Sequence, residues 1–358
     1  MSELESHVRS GGKIAENLEQ LPVMMIDNEV VAVDTEFNAP FDFKPGKPSS
    51  LGVFLAPRTS ARSIYRRLEV DEDHSRSGIV GRVVFNDSNG TVYRDIEVKG
   101  VGASGFHEGR AFVDRVEINP SGDQSGRTEG ILNFAEAHKE FAYSKMFAKH
   151  GVRIARSIAL IRLREIVDED GKRITIEEAT GRKILKSTDD PCLLVRAFGT
   201  RSRFTEVSNL VSDAQMKLAF EKLNDARMLV AQELSLQPAS FTFADYLQWL
   251  TKMAAENLAR LHRLGYIHGG ISDHNITMDG RLTDLESAIR ISSVAEEKSK
   301  SVNADRIRTM RALAAFAKNL GKILSHQQVN RDVLLRIRRL CLSVTYLFEN
   351  QYNALRDR

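Results

Sequence analysis

YIHGGISDHNITMDGRLTDLESA, residues 266–288, follows directly on a helical pattern that stops at Gly265. Two short apolar pieces flank Met278-Asp279-Gly280-Arg281, a turn-forming tetrapeptide, so a tight hairpin is expected there. Asn275 comes seven residues after His268, and Asp284 stands across the hairpin. An amide oxygen and a carboxylate are both hard donors, the kind that hold Mg²⁺. Read purely as local structure, the same residues would cap a helix and close a solvated hairpin. Features upstream weigh against that simpler reading.

Working back from the loop, residues 243–264 carry Leu247, Leu250, Ala254, Leu258 and Leu261 at helical spacing, and 208–235 is also helical in pattern. Tyr246 and Trp249 are expected to be packing residues of this helix. Before Gly199 the composition is β-rich. GIVGRVVF and TVYRDIEVKG, joined by NDSNG (86–90), predict a β-hairpin that ends on Lys99. KGVGASG follows, and such glycines allow backbone amides to approach phosphate oxygens. A helix is expected over 132–149, ended by Gly151, with Glu140 available to orient Lys99. Strand-like pieces ARSIALIRLREIV, KRITIEE and CLLVRAF come next. In VRAFGTRSRF (195–204), Arg196 and Arg203 offer guanidinium forks suited to phosphate.

A β-rich half with one prominent helix, then a helical half, is the order of a bilobal protein-kinase-like α+β fold. In such a fold a catalytic loop reads His-x-Asp-x-x-x-x-Asn, followed across a hairpin by a metal-binding Asp. The order Lys99, Glu140, Asn275, Asp284 matches it. Two positions depart: Gly270 stands where the catalytic Asp belongs, and Asp-Phe-Gly reads Asp284-Leu285-Glu286. A kinase without that Asp lacks its usual proton acceptor.

Several segments resemble the selenoprotein O family of AMP transferases. They are Val98-Lys99-Gly100-Val101-Gly102, KEFAYSKMFAKHGV (139–152), RSIAL (156–160), VRAFGTRSRF and HGGISDHN, scattered between about 78 and 288. The resemblance implies ATP bound in a flipped orientation, with AMP passed to an acceptor hydroxyl, most naturally of a protein. It implies that Lys99, Glu140, Arg196 and Arg203 serve the nucleotide and that Asn275 and Asp284 hold Mg²⁺ or Mn²⁺. The residue before the loop Asn is an Asp in that family and His274 here, with Asp273 one position earlier. Either is a candidate base, and histidine titrates near neutrality. The family's Asp-Gly-Arg corresponds to Glu108-Gly109-Arg110, which keeps the acidity, or to Ser125-Gly126-Arg127, which keeps the spacing to the helix; Gly109 and Arg110 are preferred. The competing readings are γ-phosphate transfer with a relocated base and a non-catalytic scaffold.

The chain has 358 residues, long for one core, so two lobes are expected. Residues 1–50 read as an extension or linker, with FKPGKPSS (43–50) its clearest loop, 51–200 as the N-lobe and 201–358 as the helical C-lobe. With 51 basic and 48 acidic residues, nothing in the overall charge calls for nucleic acid or a membrane, and neither is an expected partner. The basic runs RIRTMRALAAFAK (306–318) and LLRIRRLCL (334–342) are read as faces of packing helices. Cys192 and Cys341 are read as free thiols. With no signal-peptide pattern and no apolar run of bilayer length, the expected location is the cytoplasm.

Overall fold

The computed structural model describes residues 19–37, 39–57, 66–70, 76–103, 117–118, 128–208 and 210–356. The fold is mixed α+β. Its strands and helices are, in order, β1 (Glu19–Met25), β2 (Asn28–Val33), β3 (Val53–Leu55), β4 (Arg66–Val70), β5 (Ser77–Asn86), β6 (Val92–Lys99), β7 (Glu117–Ile118), β8 (Thr128–Glu129), β9 (Leu132–Asn133) and α1 (Phe134–Lys149). They continue with β10 (Arg156–Leu163), β11 (Glu165–Val167), β12 (Arg173–Thr175), α2 (Ile176–Gly181), β13 (Pro191–Phe198), α3 (Asp213–Glu233), α4 (Phe243–Arg263), β14 (Tyr266–Ile267), β15 (Ile289–Arg290), α5 (Ala295–His326) and α6 (Arg331–Arg356). Among the described residues no helix is long and apolar enough to cross a membrane.

By contacts the described residues fall into two compact units. One takes those within Met1–Ser88, Arg94–Ala142 and Arg156–Ala197; the other takes those within Asn89–Tyr93, Tyr143–Ala155 and Phe198–Arg358. The first is organised by a nine-stranded sheet in the order β2-β10-β13-β6-β5-β4-β1-β3, with β9 added on β13. β5 and β6 form the expected hairpin, turning at Gly90 with φ of +79°. Every residue of β6 is buried although four of its eight are charged. Alternation splits the strand: Ile96 and Val98 enter apolar packing, while Asp95, Glu97 and Lys99 share the opposite face, where they need partners.

Two segments differ from the sequence reading. The described part of residues 1–50, a stretch expected as an extension or linker, supplies two strands of the sheet and a strap along its β2 edge. Gly46 N donates to Val30 O at 2.9 Å and Val30 N to Lys47 O at 2.9 Å. The buried Asn28 side chain accepts from Ser49 N at 2.8 Å, fixing the strap. The runs QLPVMM and NEVVAV are short, and Pro22 interrupts the first, so the pattern is faint. In KRITIEE the strand stops at Thr175, whose hydroxyl accepts from Glu178 N at 3.1 Å and caps α2.

The second unit is helical. Its core gathers Leu223 and Val230 of α3, Leu247, Leu250, Leu258 and Leu261 of α4, Phe316 and Leu320 of α5, and Val344 and Phe348 of α6. Thr242 and Asp245 form a reciprocal cap that starts α4. Tyr246 is fully buried and its hydroxyl donates to Met278 O, while Trp249 packs at the core margin. The last part of the helical C-terminal half forms α5 and α6, broken near Gln328, where φ is +52°.

Candidate functional site

In the first unit the end of β6 delivers Lys99 to Glu140 of α1. Lys99 Nζ donates to Glu140 Oε2 at 2.9 Å, and both side chains are almost wholly inaccessible. Arg196, midway along β13, donates from Nη1 to Glu140 Oε1 at 2.9 Å and from Nη2 to Glu97 Oε1. Glu140 thus offers one oxygen to each cation, and Arg196 joins two carboxylates. The four charges cancel, which is the condition for keeping such groups out of water. The sequence assigned Arg196 to phosphate. The structure engages both its terminal nitrogens with carboxylates, because Glu97 lies two residues before Lys99 and so shares its face of β6.

The glycine-rich loop also has a structural role. Gly100 N and Val101 N donate to Arg76 O at 2.7 and 3.3 Å, and Gly102 N donates to Gly130 O at 3.0 Å. These three amides are engaged by protein carbonyls, and Ser104 and Gly105, the rest of the loop, lie outside the described residues. Gly100 has φ of +101°, and a Cβ there would collide with Cys192 O. Closeness of backbone to backbone explains this glycine. Gly109 and Arg110, together with the alternative Gly126-Arg127, lie outside the described residues.

In the second unit the loop after α4 is built around a buried histidine. His268 Nε2 lies 2.8 Å from Thr283 O, so that nitrogen carries the proton. Its backbone N donates to Asp305 Oδ2 at 2.6 Å, and Gly269 N donates to Asp305 Oδ1 at 3.2 Å. Burial alone would raise the Asp305 carboxyl, but the close His262 ring and the backbone hydrogen bond from His268 outweigh it and hold the group below the usual carboxylate range. Ser287 Oγ lies 3.2 Å from His268 Nδ1 and 2.9 Å from each of two carbonyl oxygens, those of His268 and Asp284.

The hairpin closes as its sequence predicts: Thr277 N donates to Arg281 O at 2.9 Å and Gly280 N to Thr277 O at 2.8 Å. Thr283 N donates to Asn275 O at 3.1 Å, so Asn275 and Asp284 emerge from neighbouring ends of the hairpin. Asn275 Nδ2 donates to Gly270 O at 2.7 Å, which leaves its Oδ1 as the oxygen donor. Asp284 adopts φ 55°, ψ 51°, a left-handed conformation costing a non-glycine residue on the order of 1 kcal/mol. Its Oδ2 accepts from Arg203 Nη1 at 3.3 Å, and the same nitrogen donates to His274 O at 2.8 Å. Arg203 thereby braces the loop, while its buried Nε has no hydrogen-bond partner among the described residues. Asp273 and His274 form the first two residues of a 3-10 turn capped by Ser272 Oγ, which accepts from His274 N at 3.2 Å. Asp273 is half-buried; the His274 ring is exposed, with Nε2 3.5 Å from Thr205 Oγ1.

Beneath the hairpin lies a buried charge cluster with no obvious trace in the sequence. Arg153 binds Glu233 through two nitrogens and donates from Nε to Asp279 O at 2.7 Å. Arg281, fully buried, pairs with Asp279 and donates from Nη2 to Val92 O at 2.6 Å. Burial first, and then the charge of Arg153, push the Arg281 guanidinium down to about 10. Glu233 moves the other way: burial opposes its charge, but the Arg153 hydrogen bonds and charge prevail and hold it low. Gly199 passes so close to Asp279 Oδ2 and Arg281 Nη1 that any Cβ would overlap them.

The arrangement supplies an oriented lysine in one unit. In the other it supplies two hard oxygen donors and two groups able to accept a proton. No protein-family model matches the sequence and no curated protein matches it, so these residues are read on their own chemistry.

Proposed function

We propose that this protein is an ATP-dependent nucleotidyltransferase of kinase-like organisation that passes AMP to a hydroxyl, most naturally on a protein. The observation that carries this reading is the Lys99–Glu140 ion pair at 2.9 Å. It unites two residues 41 positions apart, in the order that phosphoryl-transfer folds use to aim a lysine at nucleotide phosphates. Lys99 holds phosphate oxygens, Glu140 aims it, and Arg196 holds Glu140 in place.

Asn275 Oδ1 and the Asp284 carboxylate suit Mg²⁺ or Mn²⁺, since both are hard oxygen donors and the Asn275 amide nitrogen is already committed. A divalent ion held by them would neutralise phosphate charge. In the reaction the acceptor oxygen attacks the α-phosphorus, a bond to that oxygen forms, and the α–β bridging bond breaks. Pyrophosphate leaves, and the hydroxyl proton passes to Asp273 or His274. Gly270 offers no side chain for that proton, so the acceptor must lie elsewhere on the loop.

ATP labelled separately at the α- and γ-phosphates tests the proposal, with protein, Mg²⁺ or Mn²⁺ and a cell lysate. Protein-bound α-label without γ-label, lost in Asp284→Ala and Lys99→Ala, is expected. Bound γ-label would replace AMP transfer with phosphate transfer. Absence of label together with absence of metal-dependent ATP binding would refute a nucleotide-dependent role.

A further inference from the structure

Helix α6 has two apolar stripes. Ile337, Val344, Phe348 and Tyr352 are buried in the helical core. Leu335, Leu342 and Tyr346 stand on the other side, exposed by 42%, 89% and 67%. At about 100° per residue these three fall within roughly 40° of one another and far from the buried set. The sequence placed 334–342 on a packing helix with no membrane partner; the exposures along α6 show an outward apolar stripe that packing does not use.

The flanks of that stripe are cationic. Arg331, Arg338 and Arg339 are exposed and none pairs with a carboxylate among the described residues. Helix α5 runs antiparallel alongside: Cys341 Sγ donates to Ala317 O at 3.2 Å, and Arg306 pairs with Glu349 at 3.3 Å. It adds Arg311, Lys318 and Lys322, exposed at helical spacing. Of the acids beside the stripe, Glu349 is engaged by Arg306, and exposed Asp332 leaves the cations in excess.

We propose that this face of α6 docks on an anionic lipid surface, with Leu335, Leu342 and Tyr346 entering the headgroup region and the arginines meeting lipid phosphates. The charge requires an anionic occupant. The apolar side chains project, which suits a deformable surface better than a shaped protein partner. A second copy of the chain fits poorly. Two stripes three side chains wide cover on the order of 900 Å², short of the roughly 1,200 Å² of a stable dimer. Docking of this kind lies on the bilayer and does not span it.

Co-sedimentation with vesicles tests the proposal, comparing pure phosphatidylcholine with the same lipid containing a third phosphatidylglycerol. The full chain should sediment with the anionic vesicles and not with the neutral ones, and more weakly as salt rises. Arg338→Gln with Arg339→Gln should weaken binding about 25-fold, roughly fivefold per cation. Leu342→Ser with Tyr346→Ser should weaken it as well, and Leu342→Trp should emit at shorter wavelength on the vesicles. All these positions are exposed, so circular dichroism should be unchanged. Equal sedimentation with both lipids, none with either, or unaltered binding by the arginine variant would overturn the proposal. So would a wild-type dimer that Leu342→Ser dissociates, which would give the stripe to a second copy. Capture by an acidic peptide without vesicle binding would likewise overturn it, in favour of a protein partner.

Discussion

Arg196→Met removes a cation that Glu97 and Glu140 share, in a place where all four charged side chains of the network are buried. Glu140 keeps Lys99, but Glu97 loses Arg196 while remaining fully inaccessible. Removing one member of a buried pair costs about 3–5 kcal/mol. With a urea slope near 3 kcal/mol per molar, the midpoint should fall by about 1–2 M. The double variant Glu97→Leu/Arg196→Met restores charge balance, because Lys99–Glu140 remains, and should recover most of that loss. Urea titrations of the four proteins followed by circular dichroism give the interaction energy, expected at about 2–3 kcal/mol. Trp249, the single tryptophan, lies in the second unit and reports on that unit in parallel. Additivity of the two single losses to within about 0.5 kcal/mol would refute the idea that these residues form one network.

Gly199→Ala forces a methyl group into the Asp279–Arg281 contact and should destabilise by about 1–3 kcal/mol or more, seen as a lower thermal midpoint. Asp305 is held below its ordinary range, so its contribution is complete above about pH 5 and is lost as pH falls through its folded value. Asp305→Asn should therefore flatten the acid side of the stability profile below about pH 5. The slope should not vanish, since Glu233 and Asp168 are also held low. Asp284→Gly removes the carboxylate but relaxes the left-handed backbone, so it should abolish metal-dependent ATP binding while leaving stability equal or slightly higher, read by calorimetry and melting.

Local chemistry was the legible part. The β5–β6 hairpin announces itself through Asn-Gly between alternating runs, α4 through its leucine spacing, and the 277–281 hairpin through Asp-Gly. Pairing of Lys99 with Glu140 follows from the order of strand and helix. What could not be read depends on distant partners. β1 is held between β3 and β4, and β2 between β10 and the 46–47 strap; their own pattern is faint. Asp305 lies 37 residues beyond His268 on a helix face that looks ordinary. Glycines 100–102 read as a phosphate loop because sequence shows flexibility but not which carbonyls take the amides. Glu97 had a usable signal, its place two residues before Lys99, and that signal was enough to foresee a second carboxylate beside Arg196.

Ser287 carries a different lesson. Its oxygen lies near three acceptors, His268 Nδ1 and the carbonyls of His268 and Asp284. A hydroxyl has one hydrogen, so it donates to only one of these neighbours at a time. The hydroxyl is a rotor that serves one neighbour at a time, and the other two share the vacancy. Three short distances therefore amount to a single bond of about 1 kcal/mol, and Ser287→Ala should prove milder than the crowding around it implies.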